Sequence, residues 1–329
     1  MSWLSPCRTA AAGSWKNATV RDGEGVAAVT QADDRSKAAA AQPIRVPPEV
    51  AKGVLNPVEQ ARHRTLSRLP AGPDVERFVD WYWIVRWDLR GRPAYVAEVL
   101  PFPAVHLTFE RSHTRTGGFV TGVVTRKFSR ELAGEGETFG VKFRPGGFGA
   151  FTGVDVGALR DRVLPLAEIL PEAADLTDRV LAADTDVQRR ELVEARLAGP
   201  ARAAADDEAY RSVLSVVAAM ADDRDLTRVD QVTERFGIPI RTLQRLFRRY
   251  VGVGPKWVLR RYRLLDGAQL LAAGRTADLA TLALELGYFD QAHFSREFAR
   301  EIGTAPLEYA RTAESAASGS AGGSASSAL

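Results

Sequence analysis

Leu243-Gln244-Arg245-Leu246-Phe247-Arg248-Arg249-Tyr250-Val251-Gly252-Val253-Gly254-Pro255 and Phe294-Ser295-Arg296-Glu297-Phe298-Ala299-Arg300-Glu301-Ile302-Gly303-Thr304-Ala305-Pro306 are one pattern written twice, 51 residues apart. Leu243, Arg245, Phe247, Gly252 and Pro255 answer to Phe294, Arg296, Phe298, Gly303 and Pro306. A short amphipathic stretch and a glycine, Gly237 or Gly287, precede each copy. In the first, Val229, Val232 and Phe236 share one face of a helix over 229–236. Gly237 supplies a sharp left-handed turn that is cheap only for glycine. Pro239 is tolerated near the next helix start, because N–H groups of the first turn lack intrahelical partners anyway. That second helix is expected from Ile240 or Arg241 to Val251. Leu243, Leu246, Phe247 and Tyr250 point inward; Arg241, Gln244, Arg245 and Arg248 lie on the opposite face. In the second copy Leu279, Leu282, Ala283 and Leu286 form the inner face of the first helix, and Asp290 is the expected N-cap of the next. Phe294, Phe298 and Ile302 point inward, and Gln291, Ala292, Ser295 and Arg296 face out. A helix over 255–273 joins the copies. The simplest object with these properties is a duplicated helix–turn–helix.

The outward faces suit double-stranded DNA. Arginine grips guanine O6 and N7 with two hydrogen bonds, and glutamine grips adenine N6 and N7. A recognition helix lies in the major groove with its early residues at the bases, which makes Arg241, Gln244 and Arg245 candidate base readers. Arg248, Arg249, Lys256, Arg260 and Arg261 are candidate phosphate contacts, which position without reading sequence. The net charge of +3 says little, but its placement says more. Residues 224–311 carry fifteen Lys/Arg against ten Asp/Glu, and residues 241–265 carry eight basic residues and no acidic one. Such a stripe neutralises phosphates. Two recognition helices on one rigid linker can enter successive major grooves about 34 Å apart.

The expected fold class is α+β multidomain: a β-rich, barrel-like N-terminal domain, a helical linker, and an all-α C-terminal domain with two helix–turn–helix motifs. Residues 1–52 read as a disordered extension or the product of an early start codon. Residues 53–171 form the β-rich sensor or oligomerisation domain, 172–221 the linker, 222–311 the DNA-binding domain, and 312–329 a flexible tail. Strands are predicted at 81–87, 95–100, 104–109, 118–124, 126–132 and 138–143, from short Val-, Phe- and Thr-rich runs between turn residues. Helices are predicted at 158–170, 176–197 and 201–221, with Gly199-Pro200 as a break. The single cysteine, Cys7, excludes an intrachain disulfide and a cysteine-based zinc site. No apolar run approaches the ~18 residues of a membrane span, and no signal-peptide core is present. A soluble, cytoplasmic protein is expected, with no membrane partner.

These residues resemble the AraC/XylS family of bacterial transcription regulators. The likeness runs from Leu226 to Arg311 and is most specific over Ala283-x3-Gly287-Tyr288-Phe289-Asp290-x3-Phe294-x-Arg296-x-Phe298-x4-Gly303-x2-Pro306-x2-Tyr309. It departs at Val258, where the family usually has an aromatic residue, and at Ala310. Both positions concern packing. The resemblance implies base contacts by Arg241, Gln244 and Arg245, then by Gln291, Ser295 and Arg296. It also implies a transcription regulator working with RNA polymerase, with a homodimer as a further expectation. Upstream, Trp81-Tyr82-Trp83, Leu100-Pro101-x-Pro103 with His106-Leu107, and Gly140–Phe148 resemble a sensor-type domain of poorly known function found in some of these regulators.

A β-barrel that closes on itself holds one small ligand. Trp81, Trp83, His106, Arg144 and Phe148 are therefore candidates for an effector pocket, although strand aromatics more often simply fill a core. His63, His106 and His113 are too widely spaced to suggest a metal site, and no cofactor is expected. No P-loop, dinucleotide glycine pattern, HExxH or GxSxG is present, so the chain is read as a non-enzyme. The alternative is an isomerase- or dioxygenase-type β-barrel enzyme fused to a DNA-binding module.

Overall fold

The computed structural model describes residues 51–274 and 278–319. The N-terminal extension up to residue 50 and the last ten residues of the tail lie outside them. The strands in chain order are β1 (Thr65–Pro70), β2 (Val79–Leu89), β3 (Tyr95–Val99), β4 (His106–Ser112), β5 (Thr116–Thr121), β6 (Phe128–Leu132), β7 (Gly134–Phe143) and β8 (Val163–Pro165). Six form one antiparallel sheet in the order β1-β2-β7-β4-β5-β8, and β3 pairs with β6 in a separate ribbon. The β-rich expectation holds, but the sheet does not close into a barrel. Its end strands are short and terminate at Pro70 and Pro165, and proline has no N–H to extend a ladder.

The sheet has two different faces, because successive strand residues alternate. Tyr82, Ile84, Leu107, Phe109, Phe139, Val141 and Phe143 lie in the main core at 1% exposure or less. Each apolar side chain of this size contributes about 1.5–3 kcal/mol on burial. The other face carries Trp81, Trp83, Val85 and Trp87 on β2, Thr138 and Lys142 on β7, and His106, Thr108 and Glu110 on β4. The β3–β6 ribbon meets this face through a smaller cluster of Trp87, Leu89, Ala97 and Leu132.

The helices are α1 (Pro57–Gln60), α2 (Gly147–Thr152), α3 (Leu166–Ile169), α4 (Leu176–Ala182), α5 (Asp186–Ala203), α6 (Glu208–Asp222), α7 (Val229–Phe236), α8 (Ile240–Leu246), α9 (Pro255–Ala272), α10 (Leu279–Glu285), α11 (Gln291–Ile302) and α12 (Pro306–Gly319). Helix α5 starts with a capping box of Thr185 and Gln188 and is tied to β7 by a two-pronged pair, Arg189 Nη1 and Nη2 to Glu137 at 2.8 and 2.9 Å. The carboxyl of Glu137 is lowered: burial alone would raise it, but the hydrogen bonds and charge of Arg189 outweigh that.

Three expectations are corrected here. Residues 158–170 are not one helix: a turn at Arg160-Asp161, with Asp161 at φ 58°, lets β8 pair with β5 before α3 begins. The breaks lie at residues 183–185, which divide 176–197 into α4 and α5, and before Glu208, not at Gly199-Pro200: Pro200 falls in the last turn of α5 while Leu197 and Ala201 stay in the core. Residues 312–319, read as tail, continue α12; Ala313 and Ala316 are buried, and Arg62 Nη2 donates to Ala316 O at 2.9 Å.

Candidate nucleic-acid interface and ligand cavity

Helix α7 ends at Gly237 with φ 62°, and α8 follows after Pro239. Leu243, Phe247 and Tyr250 are buried, while Arg241, Gln244, Arg245, Arg248 and Arg249 are exposed. None of these four arginines forms an ion pair with a described residue. Helix α8 passes into one π turn over Phe247–Val251, closed by Gly252 N–H donating to Phe247 O at 2.8 Å. This turn seats the first unit on the β-rich part. Gly252 has φ 84°, and a Cβ there would stand 2.9 Å from Val156. Tyr250 Oη donates to Asp207 Oδ2 at 2.9 Å.

In the second unit Asp290 caps α11, accepting from His293 N–H at 2.6 Å, as its position in the sequence predicts. Phe294, Phe298 and Ile302 are buried; Gln291, Ala292 and Arg296 are exposed, and Ser295 is half-buried. The candidate base readers of both copies therefore reach solvent. Lys256 is exposed as well.

Arg260 and Arg261 are placed otherwise. Arg260 Nε donates to Glu297 Oε2 at 3.0 Å, and Glu297 is buried beneath Tyr288. Arg261 is 1% exposed, lies over the Trp257 ring at 4.5 Å, and donates through Nη2 to Glu301 Oε2 at 3.2 Å and Thr125 O at 2.7 Å. Burial lowers its guanidinium to about 10. A side chain so enclosed does not reach a phosphate. Arg260 and Arg261 instead lock α9 onto α11, and Arg261 also holds the loop between β5 and β6. The signal for this was the Glu297/Glu301 pair, one turn apart on α11 opposite two arginines.

A cavity of about 350 Å³ opens between the outer sheet face and the β3–β6 ribbon. Trp81, Trp83 and His106, three of the candidate effector-pocket residues, line it. Arg144 and Phe148 do not. Arg144 Nε donates to Glu76 O at 2.7 Å, and Phe148 packs edge-on to Phe143 in the core on the other side of the sheet. Both follow the strand, beyond the point where alternation assigns a face. Lys142 and Arg64 line the cavity and were missed, although alternation from Trp81 to its cross-strand partner Lys142 would have found the first. Trp83 Nε1 donates to His106 Nδ1 at 3.1 Å. Burial, then the charge of Lys142, pushes the imidazole down to about 3, so it is neutral. Asp80 is the extra residue of a β-bulge in β2, which turns its carboxylate onto Lys142 Nζ at 2.5 Å.

Residues 232–312 match the family described as a helix-turn-helix domain, and residues 67–165 match a domain of unknown function (DUF6597). The C-terminal part is an AraC-type domain. Curated relatives include the HTH-type transcriptional activator RhaS of Escherichia coli O139:H28 (strain E24377A / ETEC), 34% identical over 99 residues, 30% of this chain and 35% of RhaS. RhaS of Pectobacterium carotovorum subsp. carotovorum (strain PC1) is 33% identical over 75 residues, 23% of this chain and 26% of that one. The match thus spans about a third of these relatives at most. ToxT from Vibrio cholerae is a structural neighbour with TM-score 0.36 and 10% identity, over 76% of this chain and 97% of ToxT. ToxT from Vibrio cholerae O395 gives 0.35 and 10%, over 76% and 96%. The helix-turn-helix match begins within α7 and ends in α12, so α8 and α11 both fall inside it.

Proposed function

We propose that the protein is a sequence-specific DNA-binding transcription regulator whose β-rich part binds a small-molecule effector. The observation that carries this reading is the pair of outward faces on α8 and α11. Arg241, Gln244 and Arg245 stand on α8, and Gln291, Ser295 and Arg296 on α11, which ion pairs hold against α9, the helix that follows α8. Exposed, unpaired arginine and glutamine at the start of a recognition helix are what base reading needs. Arg248, Arg249 and Lys256 supply the phosphate contacts. The site is a binding site, and no catalytic step is assigned to it. The protein would act in the cytoplasm beside RNA polymerase, as a monomer or homodimer.

The cavity supports effector control because its wall continues into the attachment of the AraC-type domain. Val124 lines the cavity, and its neighbour Thr125 accepts from Arg261. Lys52 also lines it and pairs with Asp266 of α9 at 2.7 Å. Recovery of genomic fragments bound by the purified full chain tests the DNA reading. A shared motif of two short half-sites about one helical turn apart is expected; recovery without sequence preference sinks sequence-specific regulation.

A further inference from the structure

Trp83 and Trp87 have glycines beside them on β7. Trp83 pairs with Gly140 and Trp87 with Gly136, and a Cβ at either glycine would overlap the indole. Each indole therefore lies across the backbone of the neighbouring strand, as a strand glycine permits. Trp81 continues this floor, between the guanidinium of Arg68 at 4.3 Å and the ammonium of Lys142 at 3.9 Å from its ring. Val99, Phe128 and Leu132 of the ribbon face it from above. The cavity is a slot with an aromatic floor and an apolar roof.

The charge around the slot is unbalanced. Lys52, Arg64, Arg68, Arg115, Arg130 and Lys142 line it, against the single carboxylate Glu110 among the described residues. Glu110 is shared by Arg115 and Arg130, Asp80 serves Lys142, and Asp266 serves Lys52. Arg64 has no carboxylate partner among the described residues. It is 9% exposed, and its Nε and Nη2 donate to the neutral Gln60 Oε1 at 2.9 and 2.5 Å. Burial lowers its guanidinium to about 10. A buried cation without a counter-ion is costly unless an anion joins it. Arg64 directly precedes Thr65, which pairs with Arg86, so it stands at the Trp87 end of the floor.

We infer that the cavity binds a planar, apolar organic anion, with its carboxylate on Arg64 and its ring system on the Trp83–Trp87 floor. This rests on the reading of the cavity as an effector site. An inorganic anion would leave the indoles and the apolar roof uncovered. A neutral polyol would bury hydroxyls against surfaces with few partners. The volume lies at the small end of the ~300–1,000 Å³ usual for ligand pockets and suits a two-ring acid.

Calorimetry on the full chain with biphenyl-4-carboxylate and its neutral isostere biphenyl-4-carboxamide tests the inference. The acid should bind at least about tenfold tighter, with quenching of indole fluorescence. Arg64→Met should bring the acid down to the affinity of the amide without changing the amide, and Arg64→Lys should keep the preference. Equal affinities in the wild type, no binding of either compound, or a preference that survives in Arg64→Met overturns it. If Arg64→Met does not fold, the wild type and Arg64→Lys decide. Binding of the amide as tight as that of the acid would leave the effector site standing and remove only the anion. Operator binding in the same preparations reports on the regulator reading independently.

Discussion

Arg245 is exposed on α8, whereas Arg261, on the helix that follows, is 1% exposed between α11 and the β5–β6 loop. Their sequence contexts are alike, and only their surroundings separate a proposed reader from a fastener. Arg245→Ala should cost ~1–3 kcal/mol on the cognate site and relax one base position. Equal weakening on random DNA, in competition titrations, would show that Arg245 touches phosphate only. His106 makes a different prediction. Its imidazole is held near 3 against an ordinary value of 6.5, so the folded protein refuses a proton that the unfolded chain accepts. The contribution is therefore complete above pH 6.5 and is lost as pH falls toward 3. The stability gap between wild type and His106→Gln, from urea unfolding, should be smaller at about pH 4.5 than at about pH 7.5. A constant gap would mean that the imidazole is not kept neutral by the fold.

The two helix–turn–helix units were legible because their determinants are local. Val229–Phe236 has the expected bounds, Gly237 and Gly287 have positive φ, and Asp290 is a cap, each set within one or two turns of chain. The β-rich part was less legible because its pairing is not local. The strands were found, but nothing in Tyr95–Val99 or Phe128–Leu132 says that they leave the sheet and pair with each other. Edge strands β1 and β8 escaped because one is half polar and ends in proline and the other has three residues. Of the proposed effector residues, those on alternating strand positions reached the cavity, and Arg144 and Phe148, which follow β7, did not. Gly140 in β7 offers a test of this element. Alanine there would push the Trp83 indole off the floor, at a cost of ~1–3 kcal/mol of overpacking strain. Denaturant unfolding together with near-ultraviolet circular dichroism of the tryptophans would detect it, and an unchanged spectrum would refute the close approach.

At the scale of the whole molecule, the proposed regulator would approach DNA chiefly through the exposed cations of the first unit. Affinity should fall linearly in log–log form with salt, with a slope of about −0.9 for each phosphate neutralised. A flat dependence would remove Arg248, Arg249 and Lys256 from the contact. Arg261 carries the other whole-molecule prediction. Arg261→Met removes charge-assisted bonds to Thr125 and Glu301 and should destabilise the protein by about 1.5–3 kcal/mol. Hydrogen exchange should quicken over residues 122–127 and near Glu301. If exchange quickens in neither segment, the guanidinium is not what holds them.

One loop wears two surfaces. Val124 faces the cavity while the Thr125 carbonyl grips the AraC-type domain. Any free energy by which a ligand biases this loop toward the DNA-competent placement must be returned in kind, because linkage is reciprocal. A small molecule that tightens operator binding by some factor will itself be retained by that same factor on the operator. Promoter-bound copies would then keep their ligand longest as its concentration falls, and the off-switch would lag behind the on-switch.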